Sequence, residues 1–309
     1  MAAKMKYTVP DYMAALVKKA DNPYQLFNRF LDNRPPQTRW KNGKQISVKN
    51  TNHCKIAEPA QLFTAFQKAN QLGKKAAQMD ACVKELMGWY DFNKMEAKLS
   101  WHMIVGLGAT SVSRTSMTLE TVTGVPYIPG QALKGVTRSF IINEYFRLPG
   151  DKLKSEKAKD SAERRAMADP LFAFVFGSDS EGDGEDMARS GHVCFYDAYP
   201  YQDTQFELVE DIMNNHHQNY YDGGELNDRE SPNPVKIWAL KGVNFPIWIG
   251  IPKRTWPEKA PESGNDAFGA FFQGESVLDG VAGIMKDALK YQGVGAKTAV
   301  GYGSFDVES

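Results

Sequence analysis

The chain has 309 residues, 42% of them hydrophobic and 24% charged, with 37 Lys and Arg balancing 37 Asp and Glu. That length can bury one large core or two modest ones, no apolar run approaches a membrane span, and zero net charge argues against gripping nucleic acid alone through bulk electrostatics. The N-terminal MAAKMKYTVP lacks the apolar centre of a secretory signal, and Cys54, Cys82 and Cys194 form neither a disulfide framework nor a CxxC pair, so a reducing cytoplasm is the expected compartment.

Charge is unevenly placed along the chain. Residues 1–95 hold 16 Lys and Arg against 7 Asp and Glu, whereas residues 175–231 hold 2 against 14. Such polarity suits a subunit that turns one side to RNA and another to basic neighbours; two solvated surfaces would give the same pattern.

Helical patterning in Tyr12–Lys19 and Ala60–Trp89, interrupted by the turn-rich DNRPPQTRWKNGK at 32–44, predicts a helical N-terminal extension over residues 1–95 packed on a core spanning 96–309. Arg29, Arg34, Arg39, Trp40, Lys41 and Lys44 interleave cations with an aromatic ring. That composition can stack and neutralise single-stranded RNA, and it is equally that of an exposed loop.

From Lys98 to Gly108, KLSWHMIVGLG alternates, with Leu99, Trp101, Met103, Val105 and Leu107 on one face and Ser100 and His102 on the other. This predicts the first core strand, ended by Gly106 and Gly108. The following ATSVSRTS sets Arg114 among hydroxyl side chains, a composition able to wrap a sugar-phosphate backbone and equally an ordinary polar loop.

Pro126, Pro129 and Gly130 then turn the chain into a helix starting near Gln131, whose apolar set is Leu133, Val136, Phe140, Ile141 and Tyr145. Its first amides lack partners within the helix and the dipole is positive there, while Lys134 and Arg138 share one face. Such a terminus can hold a phosphate; a capped helix with a solvated basic face is the alternative. Residues 148–190 and about 253–274 read as insertions. In the acidic run, Asp179, Glu181, Asp183 and Gly184 fit calcium-loop positions, but Ser190 stands where a bidentate Glu is needed, so no metal is expected.

Val193–Ala198 reads as the second strand, and Val235–Leu240 and Asn244–Ile251 as strands joined by a turn at Lys241-Gly242. Ser276 caps a helix with the stripe Val277, Leu278, Val281, Ile284, Met285, Ala288 and Leu289. A glycine-rich loop, GVGAKTAVGYG from Gly293 to Gly303, precedes a last strand over Val300–Val307. The order is βαββαβ. The Lys297-Thr298 pair is out of register for a phosphate-binding NTPase loop and follows a helix, which excludes that reading. For a metal-independent ribonuclease, His102 is the best candidate general base among five histidines, and a structural histidine is the favoured alternative. His216-His217, and His192 with Cys194, lack further ligands at metal spacing.

YIPGQALKG followed at a distance by GVGAKTAVGYG resembles the RAMP superfamily of CRISPR proteins, whose members carry a PGSSLKG-type turn and a C-terminal glycine-rich loop. FVFGS at 174–178 and GHVCFYDAYP at 191–200 also resemble that group, and the likeness covers about residues 97–305, nearest to the sixth-subunit family of type III-B, or Cmr, effector complexes. Gln131 and Ala132 stand where the family has small hydroxyl residues. The resemblance implies an α+β, ferredoxin-like (RRM-like) core and a non-catalytic subunit without cofactors, capping a filament near the 3′ part of the guide RNA. It would meet guide and target RNA and the backbone and first subunits of the complex. Its expected RNA contacts are Arg114, Gly130, Gln131, Lys134, Arg138, Gly293, Gly295, Lys297 and Thr298. A guide-processing endoribonuclease and a metal-dependent target-cleaving backbone subunit are the alternatives.

Overall fold

The computed structural model describes residues 24, 38–41, 44–47, 74–108, 116–149, 151, 161–178, 189–201, 206–215, 233–254, 259–273 and 276–308. In chain order its strands are β1 (Thr38–Lys41), β2 (Lys44–Ser47), β3 (Tyr90–Leu99), β4 (His102–Met103), β5 (Gly177–Ser178), β6 (Arg189–Ser190), β7 (Cys194–Phe195), β8 (Glu207–Asn215), β9 (Asn233–Lys241), β10 (Asn244–Pro252) and β11 (Phe305–Glu308). The α-helices are α1 (Lys75–Leu86), α2 (Gly130–Ile141), α3 (Ala162–Ala168), α4 (Pro170–Phe176), α5 (Asp266–Gly269) and α6 (Val277–Asp287).

The chain divides into two compact units that interleave in sequence. One comprises 1–73, 104–126 and 205–241, the other 74–103, 127–204 and 242–309. In the first, β8 and β9 form a long antiparallel hairpin running from the Glu207–Lys241 pair to the Asn215–Asn233 pair, and β1 pairs with β2. Gly106 has φ 81°, and a Cβ there would fall 2.2 Å from Thr118 Oγ1, so only glycine fits the reversal that lets Thr118 N donate to the Val105 carbonyl.

The second unit is built on a four-stranded antiparallel sheet in the order β11-β3-β10-β7. Numbered by chain order within the sheet, the strands lie 4-1-3-2. Met95, Ala97 and Leu99 point from β3 to one face and are buried there, and Asn93 on that face donates to Asp279 of α6 at 2.7 Å. Ser276 Oγ accepts from Asp279 N at 3.2 Å, the N-cap expected for α6, and Leu278, Val281, Ile284 and Met285 carry its buried stripe. Each such fully buried side chain stabilises by about 1.5–3 kcal/mol.

The opposite face carries Phe92, Lys94, Glu96 and Trp248, and α1 lies across it. Trp248 Nε1 donates to Asp80 of α1 at 3.0 Å, and the Lys94 ammonium stands 3.7 Å from the same carboxylate. Burial alone would lower the Lys94 pKa, but the Tyr201 hydroxyl and the charges of Asp80 and Glu96 outweigh it and hold it raised. Burial, then its hydrogen bond to Glu96, pushes the Tyr201 phenol up to about 12. Phe92 contacts Tyr90, Tyr196 and Trp248 in the same layer.

Several expectations shift. The first core strand is β3, which begins at Tyr90 and ends at Leu99, because the chain bends at Ser100-Trp101 where Ser100 N donates to the Ser304 carbonyl. Of the strands joined at Lys241-Gly242, β10 enters the four-stranded sheet while β9 pairs with β8 in the other unit. The last strand is shortened to β11 because Thr298–Val300 form a 3-10 turn.

The stretch at 148–190 holds α3 and α4, capped by Ser161 and Asp169, and Leu171, Phe172 and Val175 are core residues. The stretch at 253–274 is also tied in, since fully buried Phe268 packs edge-on against Phe146, Phe172 and Phe272. Asp169 joins the two: one carboxylate oxygen accepts from Phe172 N at 3.0 Å, the other from Ser263 Oγ at 2.7 Å and Gly264 N at 2.8 Å. The expected helix at Tyr12–Lys19 and the segments carrying the calcium-loop pattern and His216-His217 lie outside the described residues.

Candidate nucleic-acid interface

The Pro-Gly turn is held by a segment distant in sequence. Ile128 and Ala198 exchange backbone hydrogen bonds of 2.9 Å each, and Gly130 N donates to Asp197 Oδ1 at 2.7 Å. A Cβ on Gly130 would lie 2.2 Å from the Phe195 carbonyl oxygen, so the glycine is demanded by close backbone approach. The sequence signal for this contact was the Asp-Ala pair in GHVCFYDAYP, but nothing local says that it meets the turn. Asp197 brings the negative charge that the helix dipole favours, so the first amide of α2 already has an anionic partner.

The expected residues on α2 diverge. Gln131 is exposed and Lys134 half-buried, close enough to Cys194 that its charge opposes the upward push of burial on that thiol. Arg138 turns elsewhere, with Nη2 2.7 Å from Glu163 Oε1 and its guanidinium 5.6 Å from the centre of the Phe172 ring. Its guanidinium is engaged with α3 and α4. Arg114 lies outside the described residues.

The C-terminal glycine loop closes on itself. Val294 N donates to the Gly303 carbonyl at 2.9 Å, and Gly303 N donates to the His102 carbonyl at 2.7 Å. Gly293 and Gly303 have φ 71° and 68°, and a Cβ on Gly303 would stand 1.9 Å from the Val294 carbonyl oxygen. These two buried glycines form a clasp, while Gly295 and Gly301, at φ 106° and 93°, are exposed on the arch between them. Lys297 sits on that arch in the left-handed region, φ 61° and ψ 30°, which is uncommon for a residue with a Cβ. Its ammonium lies 5.1 Å from the centre of the Tyr302 ring. Thr298, half-buried, follows as the first residue of the 3-10 turn.

Ser100 and His102 are bound to the closing side of this loop, which carries Trp101 to its edge. The Trp101 ring stacks on His102 at 4.3 Å with a 17° interplanar angle and meets Tyr302 at 5.0 Å. His102 is thus packed into an aromatic group. Alternation placed Trp101 in the core; it is 47% exposed.

The loop and the Pro-Gly turn are separate sites. Gln292 Nε2 donates to Ser139 Oγ at 3.1 Å, tying the loop's root to the far half of α2, roughly 13 Å along the helix axis from Gly130 at 1.5 Å per residue. Among the described residues, no three His, Cys, Asp or Glu side chains gather closely enough to hold a metal ion, and no helix is long and apolar enough to cross a membrane.

Comparison with known proteins gives this geometry a context. A profile of the RAMP superfamily matches residues 98–306. The CRISPR system Cmr subunit Cmr6 of Pyrococcus furiosus is 31% identical over 242 residues, a match spanning 67% of this chain and 65% of that relative's length. A chain of the type III-B Cmr-beta complex bound to cognate target RNA superposes with a TM-score of 0.51 at 20% identity, over 77% of this chain and 66% of the other, a likeness of fold. The crystal structure of Cmr6 from Pyrococcus furiosus aligns more loosely, at a TM-score of 0.37 and 24% identity, over 71% of this chain and 98% of that one.

Proposed function

This chain belongs to the RAMP superfamily, and on that premise we propose that it is a non-catalytic, guide-RNA-binding subunit of a type III-B CRISPR effector complex, working in the cytoplasm. The observation that carries this reading is the clasped glycine arch, which presents exposed backbone at Gly295 and Gly301 and one cation, Lys297, held in a fixed conformation. Exposed glycine backbone, which lets a strand approach closely, and a cation suit sugar-phosphate oxygens, a contact that holds a strand without reading its sequence. Base edges then stay free to pair with target RNA, so that the guide supplies specificity. Kinship with the Cmr6 subunit supports a place in such a complex; within it, we propose a position at the filament end near the guide 3′ part, beside the backbone and first subunits.

The fold supports contact through loops in preference to the sheet. The 4-1-3-2 antiparallel order fits a ferredoxin-like core in which the β8-β9 unit is inserted before the third strand. In RNA-recognition modules the aromatic sheet face stacks bases, but here α1 lies over the corresponding face through Asp80. A non-catalytic role is supported by the aromatic packing of His102, which leaves it poorly set to take a proton from a 2′-hydroxyl.

Incubating the purified full chain with guide precursor and with guide paired to target, each with and without magnesium, tests this reading. Retention of RNA with steep salt dependence and no cleavage is expected. Cleavage of precursor without metal would replace this reading with the processing endoribonuclease, and magnesium-dependent cleavage of target with the backbone subunit.

A further inference from the structure

We infer that Trp101 is a stacking platform for one nucleobase of the bound RNA, set beside the backbone-holding glycine arch. This deepens the RNA-binding reading and rests on it.

Singly exposed rings are ordinary, and Trp89 and Tyr291 are more exposed still, but Trp101 is held at the surface for an architectural reason. Ser100 and His102, on either side of Trp101, are bonded to Ser304 and Gly303, so the backbone at Trp101 is fixed from both sides. The ring has little freedom of its own. One side is backed by His102 in near-parallel stacking and its edge is flanked by Tyr302, yet nearly half of its surface still faces solvent.

Gly301 keeps that surface open. A Cβ built there finds only Trp101 Cε3 within 4 Å, at 3.9 Å, so a side chain at this position would begin in contact with the indole, which glycine leaves uncovered on that side. The cation needed beside a stacked nucleotide is supplied by Lys297, which lies over Tyr302, itself in contact with Trp101. A rigid aromatic face next to a cation and exposed backbone is the combination that holds single-stranded nucleic acid without regard to sequence: the ring takes any base and the cation takes the phosphate. A bare apolar patch for a protein partner would need neither the cation nor the open glycine.

The test compares the wild-type full chain, alone and in the assembled effector, with Trp101→Ala, Trp101→Phe and Lys297→Glu. The probes are a labelled single-stranded oligouridine and a ribose-phosphate oligomer of equal length lacking bases. Trp101→Ala should weaken oligouridine binding about tenfold to a hundredfold with an unchanged salt slope, and should bind the abasic oligomer as wild type does. Trp101→Phe should recover most of the loss, which a folding defect would not allow. Lys297→Glu should weaken both probes.

If Trp101→Ala binds oligouridine as wild type does while Lys297→Glu does not, the platform falls and the RNA-binding reading stands. If Trp101→Ala loses association with neighbouring subunits but keeps RNA, the ring belongs to a protein contact and the inference is overturned. Absence of RNA binding by the wild type, alone and assembled, would overturn both.

Discussion

Lys297 allows the electrostatic and structural roles of the glycine arch to be separated, because its structural contribution is small and can be itemised. Its half-exposed ammonium over the buried Tyr302 ring is worth about 0.5–1 kcal/mol as a cation–π contact. Its left-handed conformation costs about 1–2 kcal/mol. Lys297→Gly removes both, and glycine's extra freedom in the unfolded chain costs about 0.5–1 kcal/mol, so the terms offset to within about 1 kcal/mol and Tm should hardly move. Lys297→Glu keeps the backbone cost and loses only the ring contact.

RNA binding should respond quite differently. Each lost phosphate contact lowers the slope of log affinity against log salt by roughly 0.7 for a single strand, and reversal adds repulsion, so Lys297→Glu should lose about tenfold or more in affinity at low salt. Anisotropy of a labelled guide, titrated across a salt series for the three proteins with thermal unfolding alongside, measures both quantities. Parallel salt slopes for wild type, Lys297→Gly and Lys297→Glu would refute the reasoning and return the arch to being a turn.

Three further outcomes follow from the packing. Asp169→Ala removes an N-cap and the acceptor of the part-buried donors of Ser263 and Gly264, so it should cost about 1–3 kcal/mol in denaturant unfolding while leaving RNA affinity per folded molecule unchanged. Gly303→Ala puts a Cβ into the Val294 carbonyl at positive φ and should cost at least about 2 kcal/mol, visible as a lowered Tm. Burial pushes Tyr196, like Tyr201, up to about 12. Since both phenols are held neutral above their unfolded value near 10, their contribution is intact below pH ~10 and lost as pH rises toward ~12. Phenolate absorbance in Tyr196→Phe and Tyr201→Phe should lose only the late-titrating component; an early loss would contradict the burial.

Much of the core was legible because its signals are local. The cap at Ser276, the stripe of α6, the start of α2 and the turn at Gly242 each follow from residues a few positions apart. The first strand was misplaced because alternation runs without a break of phase from Met95 through Val105, while the bend at Ser100 is imposed by Ser304, over two hundred residues away. β8 carries Glu207, Glu210 and Asp211, which disfavour strand locally, and forms only because β9 pairs along its whole length.

The site divides in the same way. The need for glycine at 293, 295 and 303 was readable, whereas the engagement of Gly130 by Asp197, of Arg138 by Glu163 and the exposure of Trp101 depend on contacts distant in sequence.

The most direct test of the RNA-binding account is photocrosslinking of guide RNA to this chain inside the assembled effector, with the adducts mapped to peptides. Adducts concentrated on 293–303 and at Trp101 are expected. A chain without adducts, or with adducts confined to β8 and β9, would contradict it.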